Sequence, residues 1–480
     1  MKSYNMFIDG KWVPASSNET IEVLNPANEE VIATVPMGTR EDARKALESA
    51  REAQVTWSKL TAQRRGEYLR ELANELLKEK KHLAELLTTE QGKLISMAYE
   101  EVEGTAQFIS YAAESARRIQ GEILYSDVEE EQIMIQRIPY GVTVGLLTWN
   151  FPLALAGRKL GNALITGNTM VLMPPLHAPL AVYELGKIIE RVLPKGVINI
   201  VTGAGNVIGD ELVRNPITKL VTLTGSTEIG RHIYKAAADN LTVISLELGG
   251  KAPFIVLEDA DIDKAAKLAV LSGYDNCGQI CTSNERMYIH KDVYDEFMEK
   301  FVAGVKQLKV GNPMDPDTNI GPKMNINELN KLVTMVDKAK EQGAKIIVGG
   351  NRLTEGEFKT GYWFEPTVIT NVTNYMEIIQ EETFGPIVAA MKVESFDEAL
   401  QLANDCKYGL SGYIFTKNMG NIMRAMNELE VGEIYVNRRN GELINGFHAG
   451  IKLSGVGGED GKHGLDIYSQ KKTIYLNYGK

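Results

Sequence analysis

From residue 140 onward, short runs of β-branched and aliphatic residues alternate with stretches whose apolar positions recur every three to four residues. "GVTVGLL", "NTMVLM", "GVINIVTG", "KLVTLTGS" and "LTVISLEL" read as strands, and "AGRKLGNALITG", "PLAVYELGKIIERVL", "NVIGDELVRN" and "TEIGRHIYKAAADN" between them read as helices. Alternation at this pitch predicts right-handed βαβ units and a largely parallel sheet. Ligands bind such sheets beyond the C-terminal ends of their strands. A second alternating region opens near residue 252 with "APFIVL" and continues through "RMYIH", "AKIIVGG", "PIVAAMKV" and "SGYIFT". "ELGGKAP" lies between the two regions and predicts a hinge.

The N-terminal third predicts long helices with charged faces over 40–57 and 61–92. Two segments stand apart: "EEEQIMIQRIP" near 129–139 and the tail "KKTIYLNY" are strand-like but have no evident local partner. An unpaired edge strand is a liability unless covered. Both are therefore expected to form an arm and tail that pair with another subunit.

Composition narrows the class. A chain of 480 residues exceeds one hydrophobic core, so two or three domains are expected. Its net charge of −11 is spread over mixed signs, which gives no basic footprint for nucleic acid. The longest apolar runs are strand-length, too short for a membrane span. At the N-terminus, Asp9 and Gly10 interrupt "MFIDGKWV" as an Asp-Gly hairpin would, which is not a signal-peptide pattern. Three cysteines and no export signal predict a reducing, cytoplasmic setting.

That setting argues against a disulfide between Cys277 and Cys281 in "DNCGQICTS". A metal site is expected to be absent too, because Cys406 stands alone and the six histidines are scattered singly. Nucleophile with bystander, or two packing thiols, remain open for the pair.

Four turns punctuated by glycine or proline each follow a strand: "TWNFP" (148–152), "TGSTEIG" (224–230), "LELGGK" (246–251) and "DNCGQIC" (275–281). Strand ends are where α/β enzymes place their chemistry. Singly each marks only a turn, but their order is specific. With "EETFGPI" at 381–387, the set resembles the NAD(P)-dependent aldehyde dehydrogenase superfamily over about residues 5 to 478. Within that family, "GEIYVNRRNGELINGFHAGIKLSGVGGEDGKHGL" at 432–465 looks closest to the lactaldehyde/glycolaldehyde dehydrogenases.

The resemblance implies an α/β fold with two Rossmann-type parallel-sheet domains and a small β oligomerisation arm. Residues 1–122 and 141–250 would form the cofactor-binding domain, 251–462 the catalytic domain, and 123–140 with 463–480 the arm and tail. Cys281 would be the nucleophile, Glu247 the general base, and Asn150 with the Cys281 N–H the oxyanion donors. An ordinary thiol is only a few per cent ionised at neutral pH, so a base or dipole must help it. Cys277 falls where the family needs no sulfur, and its expected role is packing.

The implied cofactor is NAD, with NADP possible. "GSTEIG" is not the G-x-G-x-x-G fingerprint, but a helix opening there offers N–H groups to a pyrophosphate, implying Gly225 and Ser226. Glu382 matches the residue on the nicotinamide ribose, and Phe384 and Trp149 line that ring. One segment departs from the family. Where relatives read K-P-S-E to hold the adenosine ribose, this chain reads Met173, Pro174, Pro175, Leu176. Neither Met173 nor Leu176 replaces those hydrogen bonds, so weaker ribose recognition with a slight preference for NAD is expected. Thr148, where proline is usual, is a smaller departure.

Arg158, Glu442 and His448 match substrate-side positions and imply a small hydroxylated aldehyde of lactaldehyde or glycolaldehyde type. Arg158 leaves a semialdehyde of succinic type as an alternative, although Glu442 would repel a substrate carboxylate. Arg158 and His448 also have plain structural readings, a salt bridge and a packing histidine. Thr282 stands where the lactaldehyde pattern often has Asn. Aromatic or aliphatic aldehydes, and a catalytically silent relative, complete the alternatives. The expected assembly is a homo-oligomer, dimer or tetramer.

Overall fold

The computed structural model describes residues 2–479; the outermost residues of the expected N-terminal domain and tail, 1 and 480, lie outside them. Two sheets dominate. In the first, the strands Val243–Glu247, Thr218–Thr224, Val142–Leu146, Thr169–Met173 and Ile198–Ile200 run parallel, in that order. The antiparallel hairpin Met6–Ile8 and Lys11–Val13 extends it beyond Ile198–Ile200. Asp9 (φ 53°) and Gly10 (φ 70°) form the turn, both with the positive φ a tight hairpin needs. At the other edge, Gly455–Val456 returns from far along the chain to pair antiparallel with Val243–Glu247.

The second sheet orders Thr367–Thr370, Ile387–Val393, Asn284–His290, Ala252–Val256, Ser411–Phe415 and Glu433–Val436, all parallel, with Lys345–Val348 antiparallel at its edge. Helices cover both faces of each sheet, so central strands such as Ala252–Val256 are buried at every position. This is the two-sheet α/β fold that the alternation predicts. Glu247 ends a strand of the first sheet and Ala252 begins one of the second, which places the "ELGGKAP" turn at their junction.

Two expectations need correction. The helix expected over 61–92 is two helices, Ala62–Lys78 and Lys80–Gln91, because Glu79 leaves helical geometry at ψ 10°. The arm and tail, expected to pair with another subunit, pair with each other within the chain: Ser469–Asn477 lies antiparallel to Glu131–Pro139, which also pairs with Glu122–Tyr125. More than three hundred residues separate the main partners, so no local pattern could show the pairing. The tail begins inside the helix Gly461–Ile467. No helix among the described residues is long and apolar enough to cross a membrane.

Candidate active site

Cys281 lies where two cavities meet. One, of about 350 Å³, is lined by Asn150, Arg158, Glu247, Glu442, His448 and Cys281 among others. The other, of about 130 Å³, shares Asn150, Glu247 and Cys281 and adds Thr148, Trp149, Gly225, Ser226, Glu382 and Phe384. Every expected catalytic, substrate-side and cofactor-side residue except Met173 therefore gathers around one thiol.

The loop that carries Cys281 is wound tightly. Asn276 (φ 52°), Cys277 (φ 58°) and Gly278 (φ 66°) are consecutive left-handed residues, a conformation costly for any side chain. A Cβ on Gly278 would meet the Gly385 carbonyl at 2.2 Å, so the "GQIC" and "ETFGP" turns touch through that glycine. The Gln279 Oε1 accepts from the Met324 N–H at 3.0 Å and ties the loop to the next segment. Cys277 is buried in the apolar core beside this turn, where burial pushes its thiol up to about 11. All three cysteines are free.

The glycines of "LELGGK" make room for their neighbours. A Cβ on Gly250 would lie 2.6 Å from the Cys281 carbonyl, and one on Gly249 would lie 2.4 Å from Glu382 Oε2. Gly250 N–H donates to Glu382 Oε1 at 3.0 Å. Lys251 then pairs with Glu285 at 2.7 Å, and Glu285 accepts the backbone N–H groups of Thr383 and Phe384 at 2.7 Å each. The two motifs are thus one structure, closed by a buried ion pair.

Glu247 ends its strand almost wholly buried, and neither carboxyl oxygen has a hydrogen-bond partner among the described residues. Burial pushes its pKa up to about 8, against the pull of His448, Lys159 and Arg158. Asn150 donates its amide Nδ2 to the Gln279 carbonyl at 3.1 Å, which fixes the side chain and leaves its second amide proton free. Lys93, buried, donates to the Asn150 carbonyl at 2.8 Å and pairs with Glu101. Glu101 in turn accepts from Leu153 and Ala154 N–H at the N-terminus of the helix Pro152–Ile165. Nothing in the sequence singles out Lys93 and Glu101, because besides each other they bind backbone groups some fifty residues away.

The floor of the larger cavity is polar. Glu442 accepts from Thr282 Oγ1 and Tyr435 Oη, each at 3.2 Å, and Asn440 reaches Thr282 Oγ1 at 3.3 Å. Glu433, Glu442 and His448 bring ligand-type atoms within 4.8 Å of one another. Burial alone would raise the Glu442 carboxyl, but His448 and Arg158 hold it below its usual value. Arg158 has its charge committed: it contacts Asp460 at 2.9 Å and lies over the Phe108 ring. Sequence reading missed Glu433, Tyr435 and Asp460; all three lie within the quoted 432–465 segment, the one signal that pointed to them.

The cofactor-side residues fit a nicotinamide dinucleotide. Ser226 caps the helix Thr227–Ala237, whose N-terminus is exposed at the cavity edge. The Thr224 hydroxyl beside it is buried without a hydrogen-bond partner among the described residues. The Trp149 and Phe384 rings meet edge to face at 5.3 Å. A cleft of about 1230 Å³ continues from Ser226 and Glu382 and carries Arg231, Lys235 and Lys331, which suit a pyrophosphate. Burial, then the neighbouring Glu285, pushes Glu382 up to about 7. Met173 is the exception: half-buried, it packs against the core of the first sheet and offers no hydrogen bond.

The aldehyde dehydrogenase family model matches residues 12–474. The chain belongs to the aldehyde dehydrogenase family. This dehydrogenase is 51% identical over 479 residues to a 3,6-anhydro-α-L-galactose dehydrogenase of Vibrio sp. (strain EJY3), covering all of both chains. It is 41% identical to the lactaldehyde dehydrogenase of Escherichia coli (strain K12), over 98% of each. A solved 3,6-anhydro-L-galactose dehydrogenase with NADP bound superposes at a TM-score of 0.98, with 52% identity over 99% of this chain and all of the other. The dehydrogenase is an oxidoreductase acting on an aldehyde, and its coenzyme is NAD or NADP.

Proposed function

We propose that the dehydrogenase oxidises a small hydroxylated aldehyde to its carboxylic acid through a thiohemiacetal and a thioester on Cys281. The substrates run from the lactaldehyde and glycolaldehyde type up to the size of an anhydrohexose. The observation that carries this reading is the polar floor of the larger cavity, where Glu442, Thr282, Tyr435 and His448 converge within reach of Cys281. A volume of about 350 Å³ exceeds what a three-carbon aldehyde fills, which favours including a ring-sized substrate. The neutralised Arg158 favours hydroxyls over the carboxylate of a semialdehyde.

The roles follow from placement. The Cys281 thiolate attacks the aldehyde carbon. The free amide proton of Asn150, with the Cys281 N–H, stabilises the developing oxyanion, each donor contributing about 2.7–4 kcal/mol in such sites. Bound NAD or NADP, held by Thr148, Trp149, Gly225, Ser226, Glu382 and Phe384, supplies the hydride acceptor. Glu247, with no competing hydrogen bond, takes the proton of the water that opens the thioester and releases the acid.

Ile123, Leu124, Tyr125 and Tyr475 on the three-stranded arm are exposed, which supports a homo-oligomer built through this sheet. Free thiols throughout support a reducing, cytoplasmic compartment.

Initial rates of NAD(P)H formation test the substrate reading. Lactaldehyde, glycolaldehyde, glyceraldehyde and 3,6-anhydro-L-galactose should outrun propanal, benzaldehyde and succinic semialdehyde in kcat/KM. A clear preference for the semialdehyde or for benzaldehyde would overturn it.

A further inference from the structure

Among the described residues four lysines are buried, and three of them have a carboxylate to pair with. Lys93 pairs with Glu101, Lys159 with Glu459, and Lys251 with Glu285. Lys323 has none: among the described residues, the hydrogen-bond acceptor of its ammonium is the Phe384 carbonyl. A buried charge without an opposite charge beside it is costly, so a fold that keeps one calls for a use. Burial pulls the Lys323 pKa down to about 8, which still leaves the group charged at neutral pH.

Lys323 sits in "GPKMN", the segment that leads into the helix Ile326–Glu341. That segment is anchored twice: Lys323 N–H donates to the Tyr362 carbonyl at 2.7 Å, and Met324 N–H to Gln279 Oε1 at 3.0 Å. From this base the ammonium lies 5.9 Å from the centroid of the Trp149 ring and 6.0 Å from that of Phe384. Both distances fall at the outer reach of a cation–π attraction. These are the two rings that meet edge to face at the coenzyme-side cavity.

Phe384 needs holding. Its φ of 53° is left-handed, a conformation costly for any residue with a side chain. Its N–H is fixed by Glu285 Oε1 at 2.7 Å. Lys323 fixes the other end of the same residue, at the carbonyl. Without that donor the backbone is freer to leave the left-handed region and carry the ring with it. Lys323 is fully buried and does not line the cavity, so it acts through Phe384.

We propose that Lys323 is a positioning residue for hydride transfer: its ammonium, bonded to the Phe384 carbonyl beside the Trp149–Phe384 pair, holds the Phe384 ring where the nicotinamide packs. This rests on the reading of Phe384 as a coenzyme-side residue.

Stopped-flow kinetics of the full-length enzyme test it. Enzyme saturated with NAD or NADP is mixed with excess lactaldehyde or 3,6-anhydro-L-galactose, and the first hydride transfer is read as a burst of NAD(P)H. Lys323→Met should slow the burst by about ten-fold to 10²-fold, the range expected when a reacting group is misplaced. Its amplitude per chain should stay near wild type. Lys323→Gln keeps an N–H donor without the charge and should recover part of the rate; it also serves if Lys323→Met fails to fold. A wild-type burst rate in the variants that fold overturns the proposal. So does a smaller amplitude at an unchanged rate, which marks a purely structural lysine. Phe384→Leu checks the reading beneath it: a wild-type burst rate and coenzyme affinity in that variant would remove Phe384 from the nicotinamide, whatever Lys323 does.

Discussion

Glu247 Oε2 lies 3.6 Å from His448 Nε2, too far for a hydrogen bond but close enough for each to feel the other's charge. The carboxyl is still held near a pKa of about 8, because burial outweighs the histidine. The proposed base therefore ionises just above neutral pH, and its burial is costly to keep.

That cost predicts a stability change with a defined sign. Folding raises the Glu247 pKa from 4.5 to about 8, so between those values only the folded state holds the proton. Stability therefore falls as pH rises through that window, by ~1.4 kcal/mol per unit for a single group. Glu247→Gln should remove the loss. Its Tm is expected to exceed wild type at pH 8 and to match it near pH 4.5, while kcat drops about 10²–10⁴-fold. Equal Tm at pH 8 would contradict the buried, unpartnered carboxyl.

Lys93 bears on catalysis through Asn150. A buried Lys–Glu pair is weak support for stability, whereas this one holds the turn of Asn150, the proposed oxyanion donor, and caps the following helix. Lys93→Met should cut kcat by up to about 10²-fold, the usual result of an ångström-scale misplacement. Coenzyme affinity and Cys281 alkylation should stay near wild type. Stopped-flow kinetics and equilibrium binding separate these outcomes.

Substrate choice is expected to turn on Glu442. A hydrogen bond to a charged group contributes about 1.5–3 kcal/mol, so Glu442→Gln should raise KM for lactaldehyde roughly 10–100-fold. Propanal, which lacks the hydroxyl, should be unaffected. An equal loss for both would remove Glu442 from hydroxyl recognition.

Coenzyme choice should respond at Leu176. Introducing a carboxylate by Leu176→Glu is expected to weaken NADP about 10-fold or more relative to NAD, by repulsion of the 2′-phosphate. Met173→Lys should strengthen NADP instead. Titration of each variant with both coenzymes measures the ratio.

The arm carries a prediction for assembly. Tyr475→Asp with Ile123→Asp places charge on its exposed apolar face. Light scattering should then report a smaller species than wild type. An unchanged mass would move the subunit contact elsewhere.

The alternating pattern revealed the two sheets because each strand is followed at once by its crossover helix, so the evidence is local. The motifs revealed Cys281, Glu247 and Glu382 for the same reason: each sits at a strand end or turn with distinctive neighbours. What stayed hidden depends on distance along the chain. The pairing of Glu131–Pro139 with Ser469–Asn477, and of Gly455–Val456 with Val243–Glu247, joins segments whose patterns say nothing of each other. Lys93, between two helices, and Glu101, on the second of them, look like ordinary charges until folding buries them beneath Asn150. Arg158 was legible as a residue near the substrate, but its neutralisation by Asp460 was not, since that contact spans some three hundred residues.

The central claim is that Cys281 carries the acyl group and Glu247 releases it. The direct measurement is the intact mass of Glu247→Gln after mixing with NAD or NADP and excess lactaldehyde or 3,6-anhydro-L-galactose. An adduct of one acyl group per chain, mapped to Cys281 and absent from Cys281→Ala, is the predicted result, with about one NAD(P)H formed per adduct. No adduct despite NAD(P)H formation, or an adduct on another residue, would contradict it.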